Sequence, residues 1–143
     1  SYADEADALI MAAAVADFRP AEVAPQKIKK AGDPETAPAI PLARTPDILM
    51  DVKARRAKTG RPRVVVGFAA ESENLLANAQ DKLARKGMDL IVANDISAAD
   101  AGFAVDTNRV TLLDAQGGQQ AVDLASKARV GEIVVEWVAR ALS

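Results

Sequence analysis

The run Val64-Val65-Val66 constrains the fold of this chain more than any other stretch. Three β-branched residues without polar alternation are typical of a strand that is covered on both faces, as in a parallel sheet. We predict this strand over Arg63 to Ala70, followed by a helix and then by a second apolar strand, Met88 to Ala93. Because a strand–helix–strand unit implies a right-handed crossover between parallel strands, the sequence predicts an α/β protein.

The segment before this unit predicts another strand and a long loop. The apolar run from Ala8 to Val15 predicts a buried strand that Phe18-Arg19-Pro20 stops. Six of the seven prolines fall between residues 20 and 46. This concentration indicates an extended loop or lid, with a short edge strand around Ala39 to Ala43.

Three helices are predicted from their end signals and apolar stripes. Thr45-Pro46-Asp47 starts the first helix, which ends near Lys58. Ser72 caps the second helix, and Gly87, a residue type that commonly follows helices, ends it. Ser126 caps the third helix, which carries an apolar stripe towards the end of the chain.

Turn signals between the second and third helices predict paired strands. Asp106-Thr107-Asn108 lies between two short apolar segments, Phe103 to Val105 and Arg109 to Leu113, which is a hairpin signal. Gly117-Gly118 turns the chain again, so that Gln119 to Leu124 could pair back.

Composition excludes several classes of chemistry. The chain has no cysteine and no histidine, which excludes disulfides, thiolate or imidazole metal ligands and Ser-His-Asp catalysis. General acid–base catalysis would therefore have to use carboxylates or lysines. The formal charge of −2 disfavours a general nucleic-acid-binding protein. No apolar run approaches the roughly 18 to 20 residues of a membrane span, and we expect a cytoplasmic protein.

Polar residues follow the predicted parallel strands where each of them ends. Asp17-Phe18 follows the first strand, Phe68 to Glu71 follows the second, and Asn94-Asp95 follows the third. The carboxyl ends of parallel strands lie on one side of a sheet, where ligands bind in open α/β folds. Positive charge nearby comes from five lysines: Lys27, Lys29, Lys30, Lys82 and Lys86. Together these residues predict a site for an anionic ligand with a planar base.

Each of these features also has a simpler structural explanation. The first three lysines are typical of a solvated basic loop, and Lys82 and Lys86 of a solvated helix end. Phe68 could belong to the core, and Asp17 could cap a turn. On composition alone the simpler explanations are favoured.

Six segments, taken together, match one enzyme family in order and spacing. They are AAVADF at 13–18, KIKK at 27–30, TPDIL at 45–49, VGFAAES at 66–72, DKLARKGMDLIVAND at 81–95 and GF…D.N.V at 102–110. The chain thus resembles phosphopantothenate–cysteine ligase, also called phosphopantothenoylcysteine synthetase, of the coenzyme A pathway. In many bacteria this ligase is the C-terminal domain of a bifunctional flavoprotein.

The resemblance implies a fold, a domain organisation and partners. The fold is a Rossmann/ribokinase-like three-layer α/β sandwich with a mostly parallel sheet and a C-terminal β-hairpin. Residues 1–143 would form a single nucleotide-binding ligase domain that lacks its N-terminal strand and glycine-rich turn. A homodimer is implied, and so is fusion to a flavin-dependent decarboxylase domain, which would carry FMN outside this chain.

The resemblance also implies a reaction. The carboxylate of 4′-phosphopantothenate attacks the α-phosphate of CTP, which gives an acyl-cytidylate and pyrophosphate. The amine of L-cysteine then attacks the acyl carbon and releases CMP. Eukaryotic relatives use ATP instead. Phosphate attack of this kind needs charge neutralisation and alignment more than proton transfer, which lysines and Mg²⁺ can provide without histidine.

Roles for individual residues follow from the same resemblance. Lys27, the first residue of the KIKK segment, is the catalytic candidate, and Asp17 would contact the ribose or hold Mg²⁺. The candidate nucleotide-binding residues are Ala16, Asp17, Phe18, Lys27, Phe68, Ala69, Lys82 and Lys86. Phe68 and Ala69 would act through backbone groups. Less direct candidates are Lys29, Lys30, Asn94 and Asp95.

Other functions stay open at this point. A non-catalytic nucleotide-binding or dimerisation fragment would fit the missing N-terminal part. A generic Rossmann-type nucleotide-binding protein is a second alternative. Oxidoreductases of that fold usually contain a G-x-G-x-x-G turn after the first strand, and this chain has no such motif. We expect the isolated chain to bind nucleotide weakly and to turn over poorly or not at all.

Overall fold

The computed structural model describes residues 2–27, 39–71, 74–95 and 107–143. The chain divides into two compact units, one of Ser1–Ala13 with Ile48–Ser143 and the other of Ala14–Asp47. The first unit has a five-stranded sheet and the second a two-stranded sheet. The interpretation of residues 1–143 as one ligase domain, incomplete at its amino end, stays a prediction.

The described elements alternate between strands and helices. In chain order they are a 3-10 turn (Tyr2–Asp4), β1 (Ala8–Met11), β2 (Phe18–Pro20), β3 (Leu42–Arg44), α1 (Ile48–Thr59), β4 (Val64–Glu71), α2 (Leu75–Lys86), β5 (Leu90–Asp95), β6 (Thr107–Asp114), β7 (Gln119–Ser126) and α3 (Lys127–Leu142). None of the helices in these described ranges is long and apolar enough to cross a membrane.

The larger sheet has the strand order β1-β4-β5-β6-β7. β4 pairs in parallel with β1 and with β5, whereas β6 pairs antiparallel with both β5 and β7. Four of these five strands therefore run in one direction, and β6 runs in the other. The predicted α/β fold, with a mostly parallel sheet and a C-terminal hairpin, is confirmed.

Helices cover both faces of the larger sheet. On one face Val65 and Ile91 pack with Val52 of α1 and Leu83 of α2. On the other face the alternate strand residues, such as Val66 and Val92, pack with α3, whose buried stripe is Val130, Val134 and Val138. Because successive strand residues point to opposite faces, the uninterrupted valine run fills both cores at once.

The predicted ends of the helices agree with the structure. α1 begins at Ile48 and α2 is ended by Gly87, which has a left-handed φ of 63°. The Ser126 side chain caps α3 by accepting a hydrogen bond from the Arg129 backbone N–H at 3.1 Å. Ser72 lies outside the described residues, and Asn74 occupies the N-cap position of α2.

The first predicted strand is too long. β1 ends at Met11, which pairs with Gly67, and residues 12–16 are exposed and form no strand. Alanine side chains in this run offer little area to bury, so the apolar pattern alone does not hold them on the sheet. Phe18–Pro20, predicted to stop that strand, is itself a strand, β2.

The predicted hairpin around Asp106-Thr107-Asn108 is also corrected. Thr107 and Asn108 belong to β6, while Phe103 to Asp106 lies outside the described residues. Among the described residues a hairpin is formed by β6 and β7, with the turn at Gly117-Gly118 that the sequence predicted. Asp114 closes this turn, since its side chain accepts the Gly118 backbone N–H at 2.8 Å.

The smaller unit is built on the pairing of β2 with β3. Phe18 lies opposite Arg44 in this antiparallel pair, and the Arg44 guanidinium carbon lies 5.9 Å from the centre of the Phe18 ring. Thr45 secures the adjoining segment, because its hydroxyl donates to the Ala16 carbonyl and its backbone N–H donates to the Asp17 carbonyl at 2.9 Å.

Candidate functional site

The carboxyl end of β4 presents a stretch of backbone that β1 does not cover. β1 pairs with β4 only as far as Gly67, whereas β4 continues to Glu71 and stays paired with β5 on its other side. From Phe68 onward, the β1 side of β4 therefore has no strand partner among the described residues. Backbone N–H and C=O groups left open in this way can hydrogen-bond the edge of a planar ligand such as a nucleobase.

Phe68 and Ala69 point to opposite faces of this strand end. Ala69 is 8% exposed and packs in the α1–α2 core, so only its backbone could reach a ligand. Phe68 lies on the α3 face in the same row as Val66, and it is 42% exposed whereas Val66 is fully buried. The exposure of Phe68 argues against the simpler explanation of this residue as core.

A pair of substitutions in β4 separates a surface role of Phe68 from a core role. Phe68→Ala is expected to lower the free energy of unfolding by less than about 1 kcal/mol, because much of the ring is already exposed. Val66→Ala removes two fully buried methyl groups and is expected to cost about 1.5–3 kcal/mol. Urea denaturation measures both values. A larger loss for Phe68→Ala than for Val66→Ala would contradict the surface role.

Two asparagines lie further along the larger sheet, Asn94 near the carboxyl end of β5 and Asn108 near the start of β6. Asn94 of β5 pairs with Ala70 of β4 and with Val110 of β6. Asn108 lies two residues before Val110. The Oδ1 atoms of both asparagines are buried and accept no hydrogen bond. The sequence predicts Asn94 as a candidate but places Asn108 in a turn. The unpartnered oxygen of Asn108 is apparent only in the folded chain.

Lys82 and Lys86 are half-buried and lie one turn apart on α2. This helix starts near the carboxyl end of β4 and returns to the amino end of β5. Lys86 is its last residue, about 16 Å along the axis from its first residue. Within this unit the structure thus does not bring the two lysines beside Phe68, and their assignment to the nucleotide stays a prediction.

The other candidates belong to the smaller unit or lie outside the described side chains. Asp17, Phe18 and Lys27 are exposed in the unit of Ala14–Asp47, together with Ala16. Asp17 does not directly follow β1 as predicted, because that strand ends six residues earlier. Lys29 and Lys30 lie outside the described residues, and so does the side chain of Asp95.

No group of three or more acidic side chains that could hold a metal ion occurs in the described part of the chain. The chemistry that the described residues offer is hydrogen bonding from an open strand edge, contact with an exposed aromatic ring, and charge from exposed lysine.

Comparison with known proteins gives a consistent result. The family described as the DNA/pantothenate metabolism flavoprotein C-terminal domain matches residues 1–142. The protein named coenzyme A biosynthesis bifunctional protein CoaBC from Mycobacterium bovis is 43% identical over 143 residues, which cover 96% of this chain and 34% of that protein. The protein of the same name from Bacillus subtilis is 39% identical over 139 residues, covering 97% of this chain and 32% of that protein.

A solved structure agrees with the sequence comparisons. The crystal structure of the C-terminal domain of a coenzyme A biosynthesis bifunctional protein CoaBC is 32% identical, with a TM-score of 0.68. The match covers 95% of this chain and 57% of that one. The chain thus spans about a third of the length of the curated relatives that it matches.

Proposed function

Since the chain belongs to the family of the DNA/pantothenate metabolism flavoprotein C-terminal domain, we propose that it is the ligase part of a coenzyme A biosynthesis protein. The match over residues 1–142 carries this proposal. The relatives are named as bifunctional proteins, and this chain covers about a third of them. A second activity would then lie on a flavin-dependent decarboxylase domain, with its FMN, outside this chain.

The proposed reaction joins 4′-phosphopantothenate to L-cysteine at the expense of CTP. A carboxylate is a poor electrophile, and its conversion into a mixed anhydride with the cytidine phosphate supplies a good leaving group. Pyrophosphate leaves in the first step, and CMP leaves when the cysteine amine attacks the acyl carbon. The protein's main task is to align the reactants and to neutralise charge on the phosphates.

The described residues suit this task in two ways. Lys27 is an exposed cation that would neutralise the α-phosphate and the acyl-cytidylate. The open backbone edge at Phe68 and Ala69 would bind the base, with the exposed Phe68 ring beside it. The assignment of Lys82 and Lys86 to the triphosphate rests on the family resemblance alone, since α2 carries them away from Phe68.

Whether Mg²⁺ fits this site depends on which oxygen ligands are present. The described residues contain no three-acid cluster, but Mg²⁺ in phosphoryl-transfer sites is commonly held by one or two carboxylates together with substrate phosphates. Asp17 is exposed and could supply one such carboxylate. Mg²⁺ would screen the charge of the triphosphate there.

We also infer that the protein acts as a cytoplasmic homodimer. The smaller unit supports a dimer, because its strand pair and the segment just before β3 expose large apolar side chains: Phe18 at 53%, Leu42 at 60% and Ile40 at 59%. An exposed group of this kind is typical of a protein–protein interface.

Substrate dependence tests the proposed function. The full-length protein is expected to release pyrophosphate from CTP only when 4′-phosphopantothenate is present, and to release CMP only when cysteine is added as well. ATP in place of CTP is the matched control and should react far more slowly. Pyrophosphate release that does not depend on 4′-phosphopantothenate would contradict the proposal. Nucleotide binding without any turnover would favour a non-catalytic nucleotide-binding protein.

A further inference from the structure

A cleft lies at the end of the larger sheet opposite to Phe68. It has a volume of about 440 Å³ and is formed where β4 and β5 begin, between the β6–β7 turn and the last turns of α3. This volume is within the range of small-molecule sites. Along β4, Arg63 and Val64 of the cleft lie four to six residues before Phe68 and Ala69 of the proposed nucleotide edge, which is about 13–20 Å. The nucleotide proposal assigns no role to the residues that line it.

Two guanidinium groups in this cleft have no carboxylate partner among the described residues. Arg63 lies just before β4 and donates through one nitrogen to the Leu142 carbonyl at 3.0 Å. This bond caps the end of α3 but leaves most of the five guanidinium N–H groups available. Arg140 is exposed on α3 and makes no hydrogen bond or ion pair to the described residues.

The acidic residues of the cleft are already engaged. Both Asp89 oxygens contact Arg56, at 2.9 and 3.1 Å. One Asp114 oxygen accepts the backbone N–H groups of Gln116 and Gly118 at 2.9 and 2.8 Å. The cleft and the Arg56 side chain that pairs with Asp89 together hold three guanidinium groups and two carboxylates. Their net charge is therefore +1. The cleft therefore favours an anion.

An aromatic wall completes the cleft. Trp137 packs partly against the core on the α3 face and also lines the cleft, beside Arg140. A guanidinium pair matches the oxygens of a phosphate group, and a doubly charged phosphate neutralises two guanidinium groups better than a single carboxylate does. An indole ring adds contact area for a flat apolar group.

We propose that this cleft binds a small aryl-type phosphate monoester, with its phosphate between Arg63 and Arg140 and its flat part against Trp137. The ligand would bind away from the proposed nucleotide site, so both sites could be occupied at once. Gln116, also in the lining, is placed to hydrogen-bond polar groups on the ligand.

Fluorescence of Trp137 tests the proposal directly, because the chain has one tryptophan. In the full-length protein, the difference from a Trp137→Phe variant isolates its signal. Phenyl phosphate is expected to change this signal saturably, inorganic phosphate to compete with it, and benzoate to bind at least tenfold more weakly. No saturable change, or equal binding of benzoate, would overturn the proposal.

Arginine variants locate the binding site. Arg140→Ala is expected to raise the dissociation constant of phenyl phosphate at least tenfold. Because Arg140 makes no hydrogen bond or ion pair to the described residues, thermal unfolding should not change. Arg129→Ala is the matched control, since Arg129 lies on the same helix but is paired with Glu132 at 2.8 Å. Lys27→Ala should also leave binding unchanged, which separates this site from the nucleotide site. Unaltered affinity in Arg140→Ala would refute the assignment.

Discussion

Replacing Lys27 with alanine is expected to lower kcat of the proposed ligation at least about a hundredfold, because removing one group that stabilises transition-state charge commonly costs 10²–10³ in rate. Lys27 is exposed, so the substitution should leave the thermal midpoint unchanged. The rate of pyrophosphate release from CTP, measured at saturating substrates, gives kcat for the first step. Isothermal titration with CTP shows how much of the effect arises in binding.

Lys58→Ala is the matched control for this experiment. Lys58 lies exposed in the last turn of α1, and its replacement makes the same change in charge and side-chain length. We expect its activity to remain within about twofold of wild type, as for a surface residue without a role. If both variants lose activity equally, the effect is one of net charge, and the assignment of Lys27 as the catalytic lysine fails.

The second large effect is expected in the stability of the fold, for Asp89→Ala. Asp89 precedes β5, and its Oδ2 atom accepts the backbone N–H of Val65 at 2.8 Å. The same carboxylate pairs with Arg56 of α1 at 2.9 Å, and Arg56 also donates to the Arg63 carbonyl at 2.6 Å. One half-buried carboxylate thus joins α1, β4 and the start of β5.

Asp89→Ala is expected to lower the free energy of unfolding by about 2–4 kcal/mol. It leaves the N–H of Val65, a residue only 2% exposed, without its acceptor, at a cost of about 1–3 kcal/mol. It also removes the charge partner of Arg56. Asp89→Asn keeps an acceptor for Val65 and should lose less. Urea denaturation with an unchanged m-value measures both differences.

Asp81→Ala serves as the control for this second experiment. Asp81 also faces an arginine, Arg85, but at 3.6 Å and with a side chain that is 75% exposed. An exposed pair of this kind contributes little, so the loss should stay below about 0.5 kcal/mol. A loss for Asp89→Ala as small as that for Asp81→Ala would show that the Arg56–Asp89 contact does not support the fold.

Part of the candidate site could be inferred from the sequence, because the signal that marks it comes from residues that are neighbours in the chain. Phe68 was singled out because it follows Val64-Val65-Val66, and the end of a parallel strand faces a ligand-binding edge. The sequence does not predict that the β4 backbone lacks a strand partner on its β1 side from Phe68 onward, because this depends on where β1 ends. That end is set by pairing between residues more than 50 positions apart, Met11 and Gly67.

The asparagines and the cleft at Arg63 and Arg140 illustrate the same limit. Asn108 carries a buried, unpartnered oxygen only because β6 starts earlier than the turn signal indicated. Arg63 and Arg140 are unremarkable in sequence, and they line one cleft only because α3 returns across the sheet to bring Leu142 to Arg63. Burial and charge balance are properties of such contacts, and no local pattern encodes them.

The sequence by itself determined the α/β class, the ends of α1 and α3, the β6–β7 turn and the resemblance to one ligase family. These features depend on side-chain branching, capping and hydrophobic period, which act between residues close together in the chain. The tertiary structure alone decided the length of β1, the exposure of Phe68 and the Arg56–Asp89 contact. Each of these depends on which distant segments pack together, because pairing and burial are settled only when the sheet is assembled.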